Sequence, residues 1–397
     1  MAKSLNQRTI GVVTGSRADY GILAPLLRAI HEDGALALRL MVTGMHLSPE
    51  FGLTIEMIEG DGFPIAERVE MLVSSDTPEG IAKSMGLGTI GFAQAFARHR
   101  PDMLVVLGDR FEVHAATLAA LPFKIPVAHI HGGELTEGAF DNSLRYSITQ
   151  MSHLHFVATE EYGRRLIQVG EEPWRVLVCG ALSLDNIKTV SLLTREEMES
   201  RTGLSLERSP LVVTFHPVTL EYELTEWQVD ELLAAVGTIP LPILLTMPNA
   251  KTGRSTIARK LNKFVEGRAS ARLVDNLGTQ AYFSFMAIAA AMVGNSSSGI
   301  IEAMSFGLPV VNIGTRQRGR TRGANVIDVG YGREEIIAGI HTALSPGFRS
   351  RLQGQSNPYG DSRAAEKIVE RIKEIALDNR LIVKRFYTVG SPTSVSS

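Results

Sequence analysis

Short apolar runs recur along the chain, each followed by a longer stretch whose apolar positions return every three or four residues. The first spacing predicts buried strands and the second amphipathic helices. Thr9–Thr14 reads as a strand, Gly15-Ser16-Arg17 as a turn, and Tyr20–Ile30 as a helix. The spacing then predicts strands at Leu36–Thr43, Met103–Leu107, Ile125–Ile130 and Leu154–Ala158, with helices at Pro78–Arg98, Glu112–Leu121 and Leu144–Met151. After Leu184–Arg201 the rhythm restarts. Strands are predicted at Leu211–Phe215, Ile243–Met247, Arg272–Val274, Ala291–Val293 and Pro309–Ile313, with a helix at Ile300–Phe306.

Strand–helix alternation of this kind predicts parallel sheets with right-handed crossovers. Two such runs, joined near residues 185–208, predict an α/β protein of two Rossmann-like, doubly wound domains facing a cleft. We expect a first domain over 1–185, a second over 186–380 and a flexible tail over 381–397, with the helix Arg363–Leu377 free to pack on either domain. Polar and glycine-rich segments fall at the strand ends. In open α/β sheets that edge is where ligands bind.

Composition narrows the field. The 397 residues suffice for two domains, and the hydrophobic fraction of 44% supplies a core for each. Aromatics make up only 6%; the apolar content is mostly aliphatic, which suits buried parallel strands. A formal net charge of −2 argues against a basic nucleic-acid surface. The one cysteine, Cys179, excludes an internal disulfide and a cysteine metal cluster. No secretory signal opens the chain, and no apolar run approaches the ~18 residues a membrane span needs. The expectation is a cytoplasmic protein with neither nucleic acid nor membrane as partner.

The strand ends carry the candidate chemistry. Gly294-Asn-Ser-Ser-Ser-Gly299 precedes a helix, where backbone N–H groups and hydroxyls make a phosphate cradle. A plain serine-capped turn would look the same. Glu302, one turn on, could accept from both hydroxyls of a ribose or simply favour the helix dipole. Gly15-Ser-Arg-Ala-Asp-Tyr20 offers Arg17 to a phosphate, although a surface arginine is an equal reading; the segment lacks GxGxxG spacing, so a nicotinamide cofactor is not supported. Gly108-Asp-Arg-Phe-Glu112 brings two carboxylates and a guanidinium to one strand end, either as a salt-bridged turn or as part of a site. His129-Ile-His131-Gly-Gly-Glu134 and Asp141-Asn-Ser-Leu-Arg145 follow, raw material for acid–base work. His129/His131 and His153/His155 raise the question of a metal, but no carboxylate is spaced to complete a ligand set, so none is expected. His216 either caps a strand end or meets a diphosphate. Arg316, Arg318, Arg320 and Arg322 form a basic loop, solvated or anion-screening.

Taken as an ordered set, Arg17-Ala-Asp-Tyr20, Gly108-Asp-Arg110, His129-Ile-x-Gly-Gly-Glu134, Asp141-x-Ser-x-Arg145, Gly294-Asn-Ser-Ser297 and Asn312-x-Gly-Thr-Arg-Gln317 resemble the hydrolysing UDP-N-acetylglucosamine 2-epimerases of sialic-acid and legionaminic-acid biosynthesis. The resemblance runs from residue 9 to about 330 and implies a glycosyltransferase-B-like fold with UDP held mainly by the second domain. It implies that Ser296 and Ser297 hold the diphosphate, Glu302 the ribose and Tyr282 the uracil by stacking. Arg17, Arg110, His216, Asn249 and Arg316 match positions lining the nucleotide site. Asp109, Asp141 and Arg145 match catalytic positions. One departure stands out: many members have a catalytic Glu where this chain has His131, so His131 or Glu134 takes over that role. The reaction implied is anti elimination of UDP to a 2-acetamidoglucal followed by hydration, converting UDP-N-acetylglucosamine to N-acetylmannosamine and UDP with no cofactor and no metal. The same reaction on a UDP-2,4-diacetamido-2,4,6-trideoxyhexose, or on a GDP-linked analogue, is the alternative. A glycosyltransferase of the same fold and a non-catalytic nucleotide-sugar sensor are further ones. The family also suggests a homodimer or homotetramer.

Overall fold

The longest apolar runs form the centres of two parallel sheets, because a strand covered by helices on both faces needs apolar residues at successive positions. A computed structural model of the chain describes residues 7–73, 77–135, 140–248, 254–275 and 277–390. The chain divides into two compact units. Unit 1 comprises Met1–Glu134, Phe140–Asn186 and Gly360–Ser397; unit 2 comprises Leu135–Ala139 and Ile187–Tyr359.

Unit 1 contains β1 (Arg8–Thr14), β2 (Leu36–Thr43), β3 (Ile65–Val69), β4 (Met103–Leu107), β5 (Val127–Ile130), β6 (Leu154–Val157) and β7 (Val176–Val178). They form one parallel sheet in the order β3-β2-β1-β4-β5-β6-β7. Helices Arg17–Glu32 and Ala364–Glu374 contribute Leu23, Leu27, Ile368 and Ile372 to the core on one face. Helices Pro78–Arg98 and Phe111–Ala120 contribute Phe92, Phe96 and Ala116 on the other.

Unit 2 contains β8 (Leu211–Thr214), β9 (Ile243–Thr246), β10 (Ala271–Val274), β11 (Ala291–Gly294), β12 (Val310–Ile313) and β13 (Val326–Val329), in the parallel order β10-β9-β8-β11-β12-β13. Both sheets therefore reverse direction of growth once, between β1 and β4 in unit 1 and between β8 and β11 in unit 2. A crevice opens at the carboxyl end of such a reversal, where two loops leave on opposite faces.

The C-terminal segment departs from expectation. The second domain was expected to run to residue 380, but Gly360 onward belongs to unit 1. The helix Ala364–Glu374 is held there by Asp185, whose carboxylate accepts from Ala364 N at 3.0 Å and Ala365 N at 2.6 Å. A carboxylate at a helix N-terminus satisfies otherwise orphaned N–H groups. The first part of the expected flexible tail is also anchored. Fully buried Arg175 donates to the carbonyls of Leu381 (2.8 Å), Arg380 (2.9 Å), Val383 (3.0 Å) and His153 (3.1 Å). Lys384 pairs with Glu171 at 2.6 Å, and Tyr387 N donates to Gly170 O at 2.8 Å. Residues 391–397 of that tail lie outside the described residues.

Arg175→Ala is expected to destabilise the protein by ~3 kcal/mol, because it strands four carbonyls and releases the segment they hold. Urea denaturation and amide exchange over residues 378–387 check this. An unchanged midpoint with unchanged protection contradicts it. Among the described residues no helix is long and apolar enough to cross a membrane.

Candidate active site

Unit 1 builds its polar cluster on the ends of β1, β4 and β5. The turn after β1 begins the helix Arg17–Glu32, capped by Ser16, whose hydroxyl also meets Asp19 Oδ2 at 2.8 Å. The turn after β4 supplies Asp109 and Arg110. Arg110 Nη2 donates to Glu112 Oε1 at 2.5 Å, and its Nε lies 3.4 Å from Asp19. Glu112 is fully buried, and its Oε2 has no hydrogen-bond partner among the described residues. Burial pushes the Asp19 carboxyl up to about 6, against the pull of Arg110. Burial works to lower the Arg110 pKa, but Glu112 and Asp19 hold it above its usual value. Arg17, the first residue of the helix, is exposed.

A second chain of contacts links β4, β5 and the helix Asp141–Met151. Buried Arg145 donates through Nη2 to Asp109 and through Nη1 to the carbonyl of His131 at 2.6 Å. His131 Nδ1 meets Glu134 Oε1 at 2.5 Å. Asp141 lies one helical turn before Arg145, at the N-terminal end of the same helix, where the dipole favours a carboxylate. His131 adopts φ +64°, an uncommon backbone for a residue with a Cβ. The next two residues are glycines. Gly133, at φ +76°, approaches Tyr162 so closely that a Cβ would lie 2.6 Å from its carbonyl oxygen. Thus Arg145 spends both ends of its guanidinium on positioning Asp109 and His131.

The other histidines of the two His-x-His pairs are occupied by the fold. His129 Nε2 meets Gly108 O at 2.7 Å, and its Nδ1 meets Thr149 Oγ1 at 3.2 Å. His153 Nδ1 accepts from Val127 N at 3.0 Å. His155 Nε2 meets Glu171 at 2.9 Å. Burial holds His129 down to about 3 and His153 to about 4. His46, buried between Thr14 (3.0 Å) and Thr54 (2.7 Å), falls to about 4 for the same reason.

These three imidazoles refuse a proton that the unfolded chain accepts near 6.5. Stability is therefore lost as pH falls below about 6.5 toward 4. Asp19 works the other way between its folded value near 6 and its ordinary 3.8, one group against three. The urea midpoint is expected to fall steadily from pH 7.5 to pH 5; a flat profile contradicts this.

Unit 2 organises its switch point around Asn295, which is fully buried. Asn295 Oδ1 accepts from His216 N at 2.7 Å, and its Nδ2 donates to His216 O at 2.8 Å, so one amide side chain ties the end of β8 to the end of β11. Its backbone carbonyl accepts from Arg316 Nη1 and Gln317 Nε2, both at 2.8 Å. Gly294 has φ +136°, and a Cβ there would lie 1.9 Å from Thr214 O. Only glycine fits. Ser296 caps the short helix Ser297–Ile301 by accepting from Ser298 N at 3.3 Å, so the hydroxyls of Ser296 and Ser297 sit at that helix start. Glu302 is buried at its other end.

Tyr282 has Ser298, Thr214 and Ser296 as hydrogen-bonding neighbours, and burial raises its pKa. Its hydroxyl thus belongs to the serine turn. The loop after β12 is braced by Glu221, which accepts from Thr315 Oγ1 (2.5 Å), Tyr331 OH (2.6 Å) and Gln228 (2.9 Å). Burial opposes ionisation of Glu221, but these three donors hold its pKa below the usual carboxylate value. Within the basic loop, Arg322 is committed to Asp328 at 3.1 Å and Arg318 is exposed. Asn249 lies outside the described residues.

Sequence reasoning missed Asp19, His46, Asn295 and Gln317. Asp19 had a readable signal, since Ser16-Arg-Ala-Asp19 follows the Ser-x-x-acid pattern of a capped helix start. Asn295 lies inside the Gly294–Gly299 motif, but the serines drew the phosphate argument. His46 has no sequence signal.

The family described as UDP-N-acetylglucosamine 2-epimerase matches residues 28–373 of the chain. The chain is 41% identical over 326 residues to the GDP/UDP-N,N'-diacetylbacillosamine 2-epimerase (hydrolyzing) of Campylobacter jejuni, covering 82% of this chain and 85% of that one. It is 35% identical over 377 residues to the UDP-N,N'-diacetylbacillosamine 2-epimerase (hydrolyzing) of Legionella pneumophila, covering 95% and 98%. The crystal structure of the UDP-GlcNAc 2-epimerase of Neisseria meningitidis bound to UDP-GlcNAc superposes with a TM-score of 0.81 at 18% identity, over 92% of this chain and 100% of that one. The last likeness establishes the shared fold.

Proposed function

The chain belongs to the UDP-N-acetylglucosamine 2-epimerase family, and on that premise we propose that it is a hydrolysing 2-epimerase of a UDP-linked 2-acetamido sugar. The observation that carries this reading is the set Asp109, Arg145, His131 and Glu134, joined by hydrogen bonds at the ends of β4 and β5. Moving a proton on and off carbon needs more than one such group, in different protonation states.

The first step breaks the C2–H bond and passes its electrons into a C1=C2 double bond. The C1–O bond breaks at the same time and its electron pair leaves on UDP. The C2 proton is not acidic, so departure of UDP leads and charge builds on the diphosphate. Groups aimed at that charge lower the barrier most. In unit 2 these are the hydroxyls of Ser296 and Ser297, His216 and Arg316; the family resemblance also assigns Arg17 and Arg110 to the nucleotide. Glu302 takes the ribose. In the second step water adds its oxygen at C1 of the glycal and a proton reaches C2 on the opposite face. The sum is UDP-sugar plus water to UDP plus the free manno-configured sugar. Asp109 and Asp141 are carboxylates for these transfers. The working form is a homodimer or homotetramer, to be read by light scattering.

The substrate we propose is UDP-N,N'-diacetylbacillosamine, a UDP-2,4-diacetamido-2,4,6-trideoxyhexose, because a relative at 35% identity is named for the UDP-linked sugar and one at 41% for its GDP- or UDP-linked form. UDP-N-acetylglucosamine is the second reading, favoured by the motif set. The two sugars differ at C4 and C6, where a hydroxyl replaces an acetamido group and hydrogen respectively. Such differences are worth at least ~1.4 kcal/mol, or ~10-fold, in a fitted site. Mass spectrometry of products from each sugar nucleotide is therefore expected to show kcat/KM at least ~10-fold higher for the diacetamido sugar. A preference for UDP-N-acetylglucosamine overturns this assignment of substrate. Free sugar released only when an acceptor is added would instead mark a glycosyltransferase.

A further inference from the structure

His131 has one nitrogen spent and one left over. Nδ1 is held by Glu134 at 2.5 Å. Nε2 is buried and has no hydrogen-bond partner among the described residues. The side chain is 9% exposed, and leaving a polar atom unpaired at such a depth costs free energy unless something uses it. An ionised carboxylate only accepts, so Nδ1 is the donor of the pair and the lone pair of the neutral ring sits on Nε2.

The backbone around this ring is fixed with unusual care. His131 N donates to Phe156 O at 3.0 Å, and its carbonyl accepts from Arg145. The carbonyl of Gly133 accepts from Arg165. The φ of +64° at His131 is strained for a residue with a Cβ, and strain of this kind persists where surrounding contacts impose it. Arg145 joins this backbone to Asp109, the carboxylate at the end of the neighbouring strand. Buried His155 also has one nitrogen on a carboxylate, Glu171, and an Nδ1 with no partner among the described residues, but it lies inside β6 with no exposure, whereas His131 follows the end of β5 at the edge where the polar cluster gathers.

We propose that His131 Nε2 is the base that takes the C2 proton in the elimination step, with Glu134 as the positioning residue that fixes the ring tautomer. This rests on the epimerase reading above. As the C2–H bond breaks, the proton passes to Nε2, the ring becomes an imidazolium stabilised by Glu134, and the C1–O electron pair leaves on UDP. The imidazolium later returns its proton to solvent. Reprotonation of C2 comes from the opposite face, so it uses a different group.

The test separates the two steps. Asn tolerates a positive φ better than other residues with a Cβ, so H131N is the variant of choice. Release of UDP from the UDP-sugar is expected to fall ~100-fold or more. Hydration of a supplied 2-acetamidoglucal, with UDP present, and binding of UDP are expected to stay near wild type. Rapid UDP release with accumulating glycal would put the imidazole on water instead and overturn the proposal. An equal fall in both steps would reduce His131 to a structural role and overturn it as well. If the wild-type protein neither releases UDP nor hydrates the glycal, the epimerase reading itself fails, an outcome distinct from the other two. Should H131N fold poorly, E134Q supplies the second arm: the acid limb of UDP release against pH is expected to move, whereas an unmoved limb contradicts the dyad.

Discussion

Asp109→Asn lowers turnover by ~100-fold or more while UDP still binds, the loss typical of a removed acid–base group. Asparagine keeps the size of the side chain and an oxygen that Arg145 can still donate to, so the bridge from Asp109 to the His131 carbonyl is retained in shape. What is lost is the charge and the oxygen able to take a proton. Asp141→Asn, one helical turn from Arg145, is expected to show a fall of the same order. Steady-state UDP release and calorimetric UDP binding, run on both variants, check the pair. Wild-type rates in both would contradict the placement of the chemistry in unit 1, and a parallel loss of UDP binding would show that the carboxylates act on the nucleotide.

Gly294→Ala abolishes UDP binding and destabilises unit 2 by ~4 kcal/mol or more, at the far end of the range for single substitutions. The backbone there has φ +136°, a region reserved for glycine. The added methyl would lie 1.9 Å from Thr214 O, a backbone atom of the neighbouring strand that cannot swing away. Relief requires β8 and β11 to separate, which breaks the Asn295–His216 bridge and displaces the Ser296 turn. Thermal denaturation and UDP titration read both effects. An alanine variant that melts like wild type and binds UDP equally would contradict this account of the switch point.

Much of this framework was legible in the order of residues, and the exceptions share a cause. Strands β1, β2, β4, β5, β6, β8, β9, β11 and β12 were read because each is buried enough to leave a run of aliphatic residues, and the edge strand β10 was read from Arg272–Val274. The three missed strands, β3, β7 and β13, are all at sheet edges and mostly half-buried, so Ile65-Ala-Glu-Arg-Val69 and Val326-Ile-Asp-Val329 mix charge into the run. The packing of the C-terminal helix was left open, and the second domain was drawn on to residue 380, because its docking depends on Asp185, a contact across 179 residues of sequence that no local pattern encodes. The anchoring of the first part of the expected flexible tail was hidden for the same reason: Arg175 gathers its carbonyls from far along the chain.

The candidate site divides similarly. Side chains inside motifs, such as Asp109, His131, Glu134 and Arg145, were found because strand ends are where polar residues interrupt apolar runs. Their linkage was not visible, since it depends on β4 and β5 lying side by side. Arg145 illustrates the difference: it was expected as a catalytic position, and its guanidinium is turned to Asp109 and the His131 carbonyl. Tyr282 was expected to stack on uracil, and its hydroxyl joins the turn that holds Ser296 and Ser298. Asn295 was passed over because a buried amide announces itself only through its partners, one of which is 79 residues away.

The most direct test of the central claim is incubation of the wild-type protein with the UDP-linked acetamido sugar in deuterated water, followed by proton NMR without any acceptor. Elimination and hydration predict UDP, a free sugar of manno configuration and deuterium at its C2. Free sugar that keeps the C2 proton, or intact UDP-sugar after prolonged incubation, would contradict the hydrolysing 2-epimerase reading.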